Sequence, residues 1–403
     1  MQTLSRAEYT DLLVLAEPLA CVIHAYKRLP PFLNPRTITI FGGGPIGVLH
    51  VIQVRSRFWN ANIQVVEPDP ARRILLERLL PFVSLHSSSQ TIATSDLAVV
   101  ATSDPEASMV SIETAGNAGT VILFSGINHK SRDELPNCEG HDLETIHRNE
   151  EVRTVSRNIR LVGSSGYHPG EIGEALALLA ANPRIYKIVQ TGIVEGIDGA
   201  LIDSSSTSVP AIVQMIKDRE LYQSHLKVVF RLDHPAQSDR RVIAGASRGS
   251  IELSEFDPIP VPAPGTARVR MKRFSVCETD RRVLRGTKSA DLRPGLVLGH
   301  EGVGIVEAVG PNVSPSLLGS MCIILPHYFE NSDEMELRGI GYLSRKMQHL
   351  GIHVDGVFTT QADLPVSCLY QVNTFATILA ADAPDYTQIN DAGHRRWVGA
   401  SVA

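Results

Sequence analysis

Three residue types that hold zinc meet in one short part of this sequence: Cys277 in SVCETD, and His300 and Glu301 in LGHEGVG. A thiolate, an imidazole and a carboxylate are the ligands of a three-ligand site that keeps one position open. Each has an ordinary reading too. Cys277 suits a small buried hydrophobe, His300 a hydrogen-bonded turn residue and Glu301 a surface charge. A second stretch with chemistry lies far upstream, TITIFGGGPIGVLHVIQVRSRFWNANIQVVEPDPARR from Thr37 to Arg73. It reads as strand, glycine turn, helix, strand, acid. Gly42 permits the tight turn, Gly44 lets backbone approach a pyrophosphate, and Gly47 lets the helix pack on the strand. The helix opening at Pro45 and Ile46 aims its free N–H groups at the phosphates. Glu67 ends the second strand, where an acid accepts hydrogen bonds from the adenosine ribose. Its charge would repel a 2′-phosphate, which favours NAD over NADP, although Arg72 and Arg73 stand close by.

These residues need elements to hold them. Strands are expected at 37–41, 63–66, 97–102, 119–124 and 159–163, alternating with helices at 45–58, 106–115 and 171–181, as a doubly wound parallel sheet requires. Ligands of such sheets lie beyond the carboxyl ends of the strands, which adds Thr102 and Gly126 as cofactor contacts. Residues 1–10 read as a frayed lead-in and 128–150 as polar loop. The apolar strand at 226–230 reads as the close of this half. A polar, proline-bearing linker is expected at 233–240. Short alternating segments with proline and glycine turns, such as 267–271 and 304–310, then indicate a β-rich domain over 241–373. Residues 374–403 carry no motif.

Bulk properties remove several classes. A net charge of −5 with 43% apolar and 20% charged residues describes an ordinary globular protein and argues against a nucleic-acid partner held by a basic face. No apolar run reaches membrane-spanning length, and LLVLA near the N-terminus lacks the basic flank of a signal peptide. Five widely spaced cysteines give no disulfide framework and suggest a reducing cytoplasm. The absence of any CxxC pair removes a cysteine-rich structural zinc lobe.

Taken together, SVCETD, LGHEGVG with VGPNV after it, the GGGPIG loop, VVEPDPARR and AEPLAC at Ala16–Cys21 resemble the zinc-dependent medium-chain dehydrogenase/reductase superfamily, which includes alcohol, sorbitol and threonine dehydrogenases. The resemblance spans about residues 10–232 and 240–373. It implies a Rossmann NAD-binding domain (1–232) and a GroES-like zinc catalytic domain (241–373). In that family the catalytic domain comes first, so the resemblance implies a circularly permuted order.

Further roles follow from the resemblance alone. Cys277 and His300 match zinc ligands, and Glu301 and Glu17 match positions that supply or exchange a further carboxylate. Glu17 reads equally as a helix-start acid. Thr279 matches the hydroxyl that touches the substrate oxygen, with a locally bonded turn hydroxyl as its ordinary reading. Asp280 matches the acid that orients the zinc histidine. One catalytic zinc and no structural zinc are implied, with NAD, a homodimer or homotetramer, and oxidation of a secondary alcohol such as a polyol, cyclitol or amino-alcohol. A zinc-free or redox-neutral, epimerase-like enzyme and a non-catalytic binding protein remain the alternatives. His327 and His353 could meet substrate, and His24 reads as structural.

Overall fold

The computed structural model describes residues 4–127, 136–199, 210–233, 238–247, 249–286, 292–329, 333–338, 340–344 and 346–372. The C-terminal stretch 374–403 and part of the 233–240 linker lie outside the described residues. Among the described residues the first element is a helix, starting within the 1–10 stretch expected to be a frayed lead-in. Helix α1 (Arg6–Leu12) begins at Ser5, whose hydroxyl accepts from Glu8 N while Glu8 reaches back to Ser5 N, a reciprocal cap. A tight helical turn joins it to α2 (Ala16–Lys27). Asp11 is fully buried and pairs with both Arg231 (2.6 Å) and Arg273 (2.6 Å), which pins this run to the second half of the molecule.

The first sheet follows from the expected alternation. It contains β1 (Thr37–Phe41), β2 (Asn62–Val66), β3 (Ser84–His86), β4 (Ser95–Val100), β5 (Ala115–Leu123), β6 (Val152–Val155) and β7 (Ile159–Gly163). Their order is β3-β2-β1-β4-β5-β7-β6. All pairings are parallel except β6 on β7 at the edge. The connecting helices are α3 (Pro45–Arg57), α4 (Pro70–Leu79), α5 (Pro105–Glu113), α6 (Leu143–Arg148) and α7 (Pro169–Ala181). The strand order reverses between β1 and β4, so their carboxyl ends frame a crevice. Residues read as loop at 128–150 include α6. Its Asp142 cap accepts from Glu144 N and Thr145 N.

The second sheet is mostly antiparallel. It comprises β8 (Gln190–Glu195), β9 (Lys227–Arg231), β10 (Thr266–Ser275), β11 (Gly302–Val309), β12 (Met321–Ile324), β13 (Gln361–Pro365) and β14 (Leu369–Gln371). The order is β8-β9-β10-β11-β12-β14, with β13 also on β10. Between β8 and β9 come helices α8 (Ala211–Lys217) and α9 (Arg219–Gln223), and α10 (Glu278–Arg285) follows β10. The strand expected to close the first half therefore stands elsewhere. β9 pairs antiparallel with β10, Val229 opposite Ser275 and Phe230 opposite Phe274. An apolar run such as KVVF states that it is buried, and local periodicity cannot say against which sheet.

One core unites these layers. Leu12, Leu15, Leu19 and Val22 of the first helical run pack with Ile38 and Ile40 of the first sheet and with Val229, Val303 and Ile323 of the second. The run from α1 to α2 is thus wedged between the sheets, with Glu17 in its first α2 turn beside the space between them.

Candidate active site

Both halves line one cleft of about 940 Å³. At one end, Gly42 has φ +104°, and a Cβ there would come 2.9 Å from Ala101 O. A Cβ on Gly47 would sit 1.9 Å from Gly42 O, so only glycine lets α3 start this close to β1. A Cβ on Gly44 would meet nothing within 4 Å, which leaves the start of α3 open on the cleft side. Pro45 is the first residue of α3, where no amide hydrogen is needed. Glu67 closes β2 with its carboxylate turned back onto the loop. Oε2 accepts from Gly43 N and Oε1 from Asp69 N, both at 2.9 Å. An ionised carboxylate has about four acceptor directions, so capacity remains for ribose hydroxyls.

The neighbouring arginines are differently placed. Arg73 Nη1 donates to the carbonyls of Glu67 and Pro68, both at 2.7 Å. Arg72 is buried, donates from Nη2 to Tyr222 O (2.9 Å) and has no hydrogen-bond partner at Nη1. Burial lowers its pKa. Ile46 in the first turn of α3 also lines the cleft, as do Thr102 and Gly126 beyond the ends of β4 and β5.

At the other end, Cys277 caps α10 and its Sγ lies 3.1 Å from His300 Nε2. Asp280, in the first turn of α10, accepts from Cys277 N at 2.9 Å and stands 3.2 Å from His300 Nδ1. The approach to Nδ1 is too oblique for a straight hydrogen bond, yet it is close enough to favour a proton there and leave Nε2 toward the thiol. Ligand atoms of Cys277, Asp280 and His300 lie within 4.8 Å of one another. Asp280 serves both partners from behind, so Cys277 and His300 are the donors that face outward. Burial and then the Asp280 charge raise the Cys277 thiol pKa. Burial would lower His300, but Cys277 and Asp280 hold it well above its usual value. A bound divalent ion would take Cys277 as thiolate and His300 as neutral imidazole, so its binding would release protons from this pair.

The two carboxylates differ. Glu301 is buried and its Oε2 accepts from Lys227 Nζ (2.7 Å) and Ser275 Oγ (2.5 Å). Glu17 forms no salt bridge among the described residues, and the Cys21 thiol donates to its Oε1 at 3.5 Å. Burial, then the charge of Glu301, raises Glu17 to about 7. Thr279 lines the cleft on the first turn of α10.

Several residues here were not singled out from the sequence. Lys227 hides in an apolar strand, and Ser275 ends another. His349 lines the cleft with its ring edge-on to His300, centroids 4.9 Å apart. Its Nδ1 donates to Leu350 O (2.8 Å). The histidines considered earlier are placed otherwise. His327 packs beside Tyr167 and burial lowers it to about 4. His353 Nδ1 accepts from His349 N within a turn. Neither lines the cleft.

Comparison with known proteins matches residues 263–374 to the alcohol dehydrogenase GroES-like domain. An L-threonine 3-dehydrogenase of Pyrococcus furiosus is 29% identical over 122 residues, 30% of this chain and 35% of that protein. An alcohol dehydrogenase of a Moraxella species is 38% identical over 65 residues, 16% of this chain and 19% of its own. A solved NAD-dependent alcohol dehydrogenase is 32% identical over 33% of this chain and 39% of its own, with a TM-score of 0.30. The match thus spans about a third of the length of the threonine dehydrogenase. No helix among the described residues is long and apolar enough to cross a membrane.

Proposed function

We propose that this chain, a member of the medium-chain dehydrogenase/reductase superfamily, is a zinc- and NAD-dependent oxidoreductase interconverting a secondary alcohol and its ketone. The observation that carries the reading is the shared cleft. It places a glycine loop at a helix start with a strand-end acid opposite a cysteine–histidine pair braced by an aspartate.

Cys277 and His300 would hold the metal, with Glu17 as the third protein ligand. Glu17 is favoured over Glu301 because Lys227 already compensates the Glu301 charge, whereas Glu17 is a half-buried carboxyl with no salt-bridge partner among the described residues. When bound, the two groups would supply a lowered pKa for a hydroxyl presented to the metal and a hydride acceptor in the nicotinamide. The chain's own residues do the rest. Thr279 meets the reacting hydroxyl and passes its proton outward. Asp280 fixes the His300 ring, a role that usually changes metal affinity when lost. The start of α3 would present its amides at Gly44 and Ile46 to the pyrophosphate, Pro45 having none, while Gly42 gives the tight turn and Gly47 the close packing of α3 on β1, and Glu67 would accept from the ribose. NAD is preferred because that carboxylate disfavours a 2′-phosphate and Arg73 is tied to backbone carbonyls.

The polar lining, with Glu17, Thr279 and His349 together, suits a polyol, cyclitol or amino-alcohol. We further infer a permuted domain order, a homodimer or homotetramer and a cytoplasmic setting. For the permutation, Val372 N donates to Met321 O, and Met321 shares a surface hollow with Arg6, Ala7 and Thr10. The start and end of the described chain therefore lie side by side, where the family order would join them. Zinc per protomer, measured on wild type and Cys277→Ser purified without chelator, tests the reading. Near-stoichiometric zinc that falls in the variant, with NADH formed in an alcohol screen, is expected. A wild type that stays empty after zinc is supplied would overturn it.

A further inference from the structure

Helix α10 carries more than the metal-end residues. Thr279 and Arg282 are three positions apart and so share a face, and both line the cleft. The two adjacent arginines diverge. Arg281 Nη1 donates to Met215 O (2.8 Å) and Asp218 O (2.9 Å), and its guanidinium lies 4.3 Å over the Tyr222 ring. It fastens α10 to helices of its own half. Arg282 crosses the cleft instead. Its Nη1 donates to Gly126 O (3.2 Å) and its Nη2 to Ile127 O (3.3 Å), two successive carbonyls just beyond β5.

That loop is held from its other side by the first half. Glu144 of α6 is buried and accepts from Ile127 N at 2.7 Å. His147 Nδ1 donates to Leu123 O at 3.0 Å, at the last residue of β5. The Ile127 amide is therefore fixed by α6, and the carbonyls of Gly126 and Ile127 by the metal-end helix. A half-buried guanidinium is costly unless it gains matched acceptors, and a planar fork meets two adjacent carbonyls as a lysine cannot.

We propose that Arg282 is a positioning residue that sets the spacing between the Cys277–His300 pair and the β5 loop on which the nicotinamide would rest. This rests on the function proposed above. Hydride transfer needs the donor and acceptor carbons within a narrow range, and a misplacement of about 1 Å costs on the order of 10²-fold. The two ends of the cleft belong to different sheets, and Arg282 is a direct hydrogen-bonded tie from the helix carrying Thr279 to the first-sheet loop containing Gly126.

The test compares wild type with Arg282→Lys and Arg282→Met, with Arg293→Gln as a control at an exposed arginine that pairs with Asp355 away from the cleft. Hydrogen exchange of the peptide covering 119–127, in protein free of cofactor, reads the tie itself. Exchange about tenfold faster in Arg282→Met is expected, since hydrogen bonds to a charged group are lost. Arg282→Lys should fall between, and Arg293→Gln should match wild type. With cofactor and alcohol, Arg282→Met should lower kcat on the order of 10²-fold. It should also change the primary deuterium isotope effect, while zinc content and alcohol KM stay near wild type. Unchanged exchange would overturn the proposal, as would a lowered Tm with normal kcat and isotope effect. If wild type turns over no alcohol, the function reading fails, and the exchange comparison alone then judges the tie.

Discussion

The two ends of the cleft are built from different materials. The glycine end is made of backbone. Gly42 and Gly47 leave no room for a Cβ, Gly44 keeps the helix start open, and Glu67 braces the loop through amide hydrogens. All of it comes from one strand–helix–strand unit. The cysteine–histidine end is made of side chains from four separated places: Glu17 on α2, Lys227 on β9, Cys277 and Asp280 around α10, and His300 with Glu301 before β11. Backbone sites fail when a side chain intrudes. Side-chain sites fail when one is taken away and its buried partner is left unmatched.

The largest effect is therefore expected at the side-chain end. Cys277→Ser should remove bound zinc and, with it, several kcal/mol of stabilisation of the reacting oxygen, a loss on the order of 10³-fold in kcat/KM. Elemental analysis and steady-state kinetics check both. Next comes Lys227→Met, which strands the Glu301 carboxylate in a buried position. Unfolding by denaturant should show a loss of about 3–5 kcal/mol, and Lys227→Met with Glu301→Gln should recover part of it. A variant as stable as wild type would mean that the 2.7 Å pair contributes nothing.

The backbone end should respond more selectively. Gly47→Ala puts a methyl 1.9 Å from Gly42 O and should lower stability by about 1–3 kcal/mol. Gly44→Ala meets nothing within 4 Å, so its Tm should stay near wild type while NADH affinity falls. Thermal melts and NADH fluorescence titration separate the two. Equal effects on Tm would break the distinction between a glycine needed by the fold and one needed by the ligand.

That contrast also explains what was legible. A backbone site announces itself locally, because the glycines, the helix start and the acid all lie within one βαβ stretch. The GGGPIG loop and Glu67 stand where the sequence placed them, at the carboxyl ends of β1 and β2. Cys277, Asp280 and His300 were singled out through their motif context, and the structure brings them together and adds which atoms face which. Lys227 was not found, because four buried residues in KVVF read as an apolar strand of the first half. A lysine inside such a run was the available signal, since a buried cation needs an anion somewhere. Helix α1 was also legible in principle from Ser5-x-x-Glu8. His349 had no local signal, because its place beside His300 comes from the tertiary return of its turn.

The smallest effect tests whether side-chain construction alone makes a region functional. His24, two turns beyond Glu17 on α2, lies between Glu150 (2.8 Å) and Glu171 (3.1 Å), and Tyr342 donates to Glu150 at 3.0 Å. None of these residues lines the cleft. Burial would lower the His24 pKa, but the two carboxylates raise it to about 9. A group whose folded pKa exceeds its unfolded value near 6.5 stabilises fully below that value. The stabilisation is lost as pH rises through the folded value, so the window runs from about 6.5 to about 9. Wild-type unfolding free energy should fall by about 1–3 kcal/mol across it, and His24→Gln should flatten that slope while leaving kcat/KM at pH 7 unchanged. An equal slope in the variant would remove His24 as its source. A lost kcat/KM with intact stability would instead tie this cluster to the cleft, so that the two-ended description would need a third part.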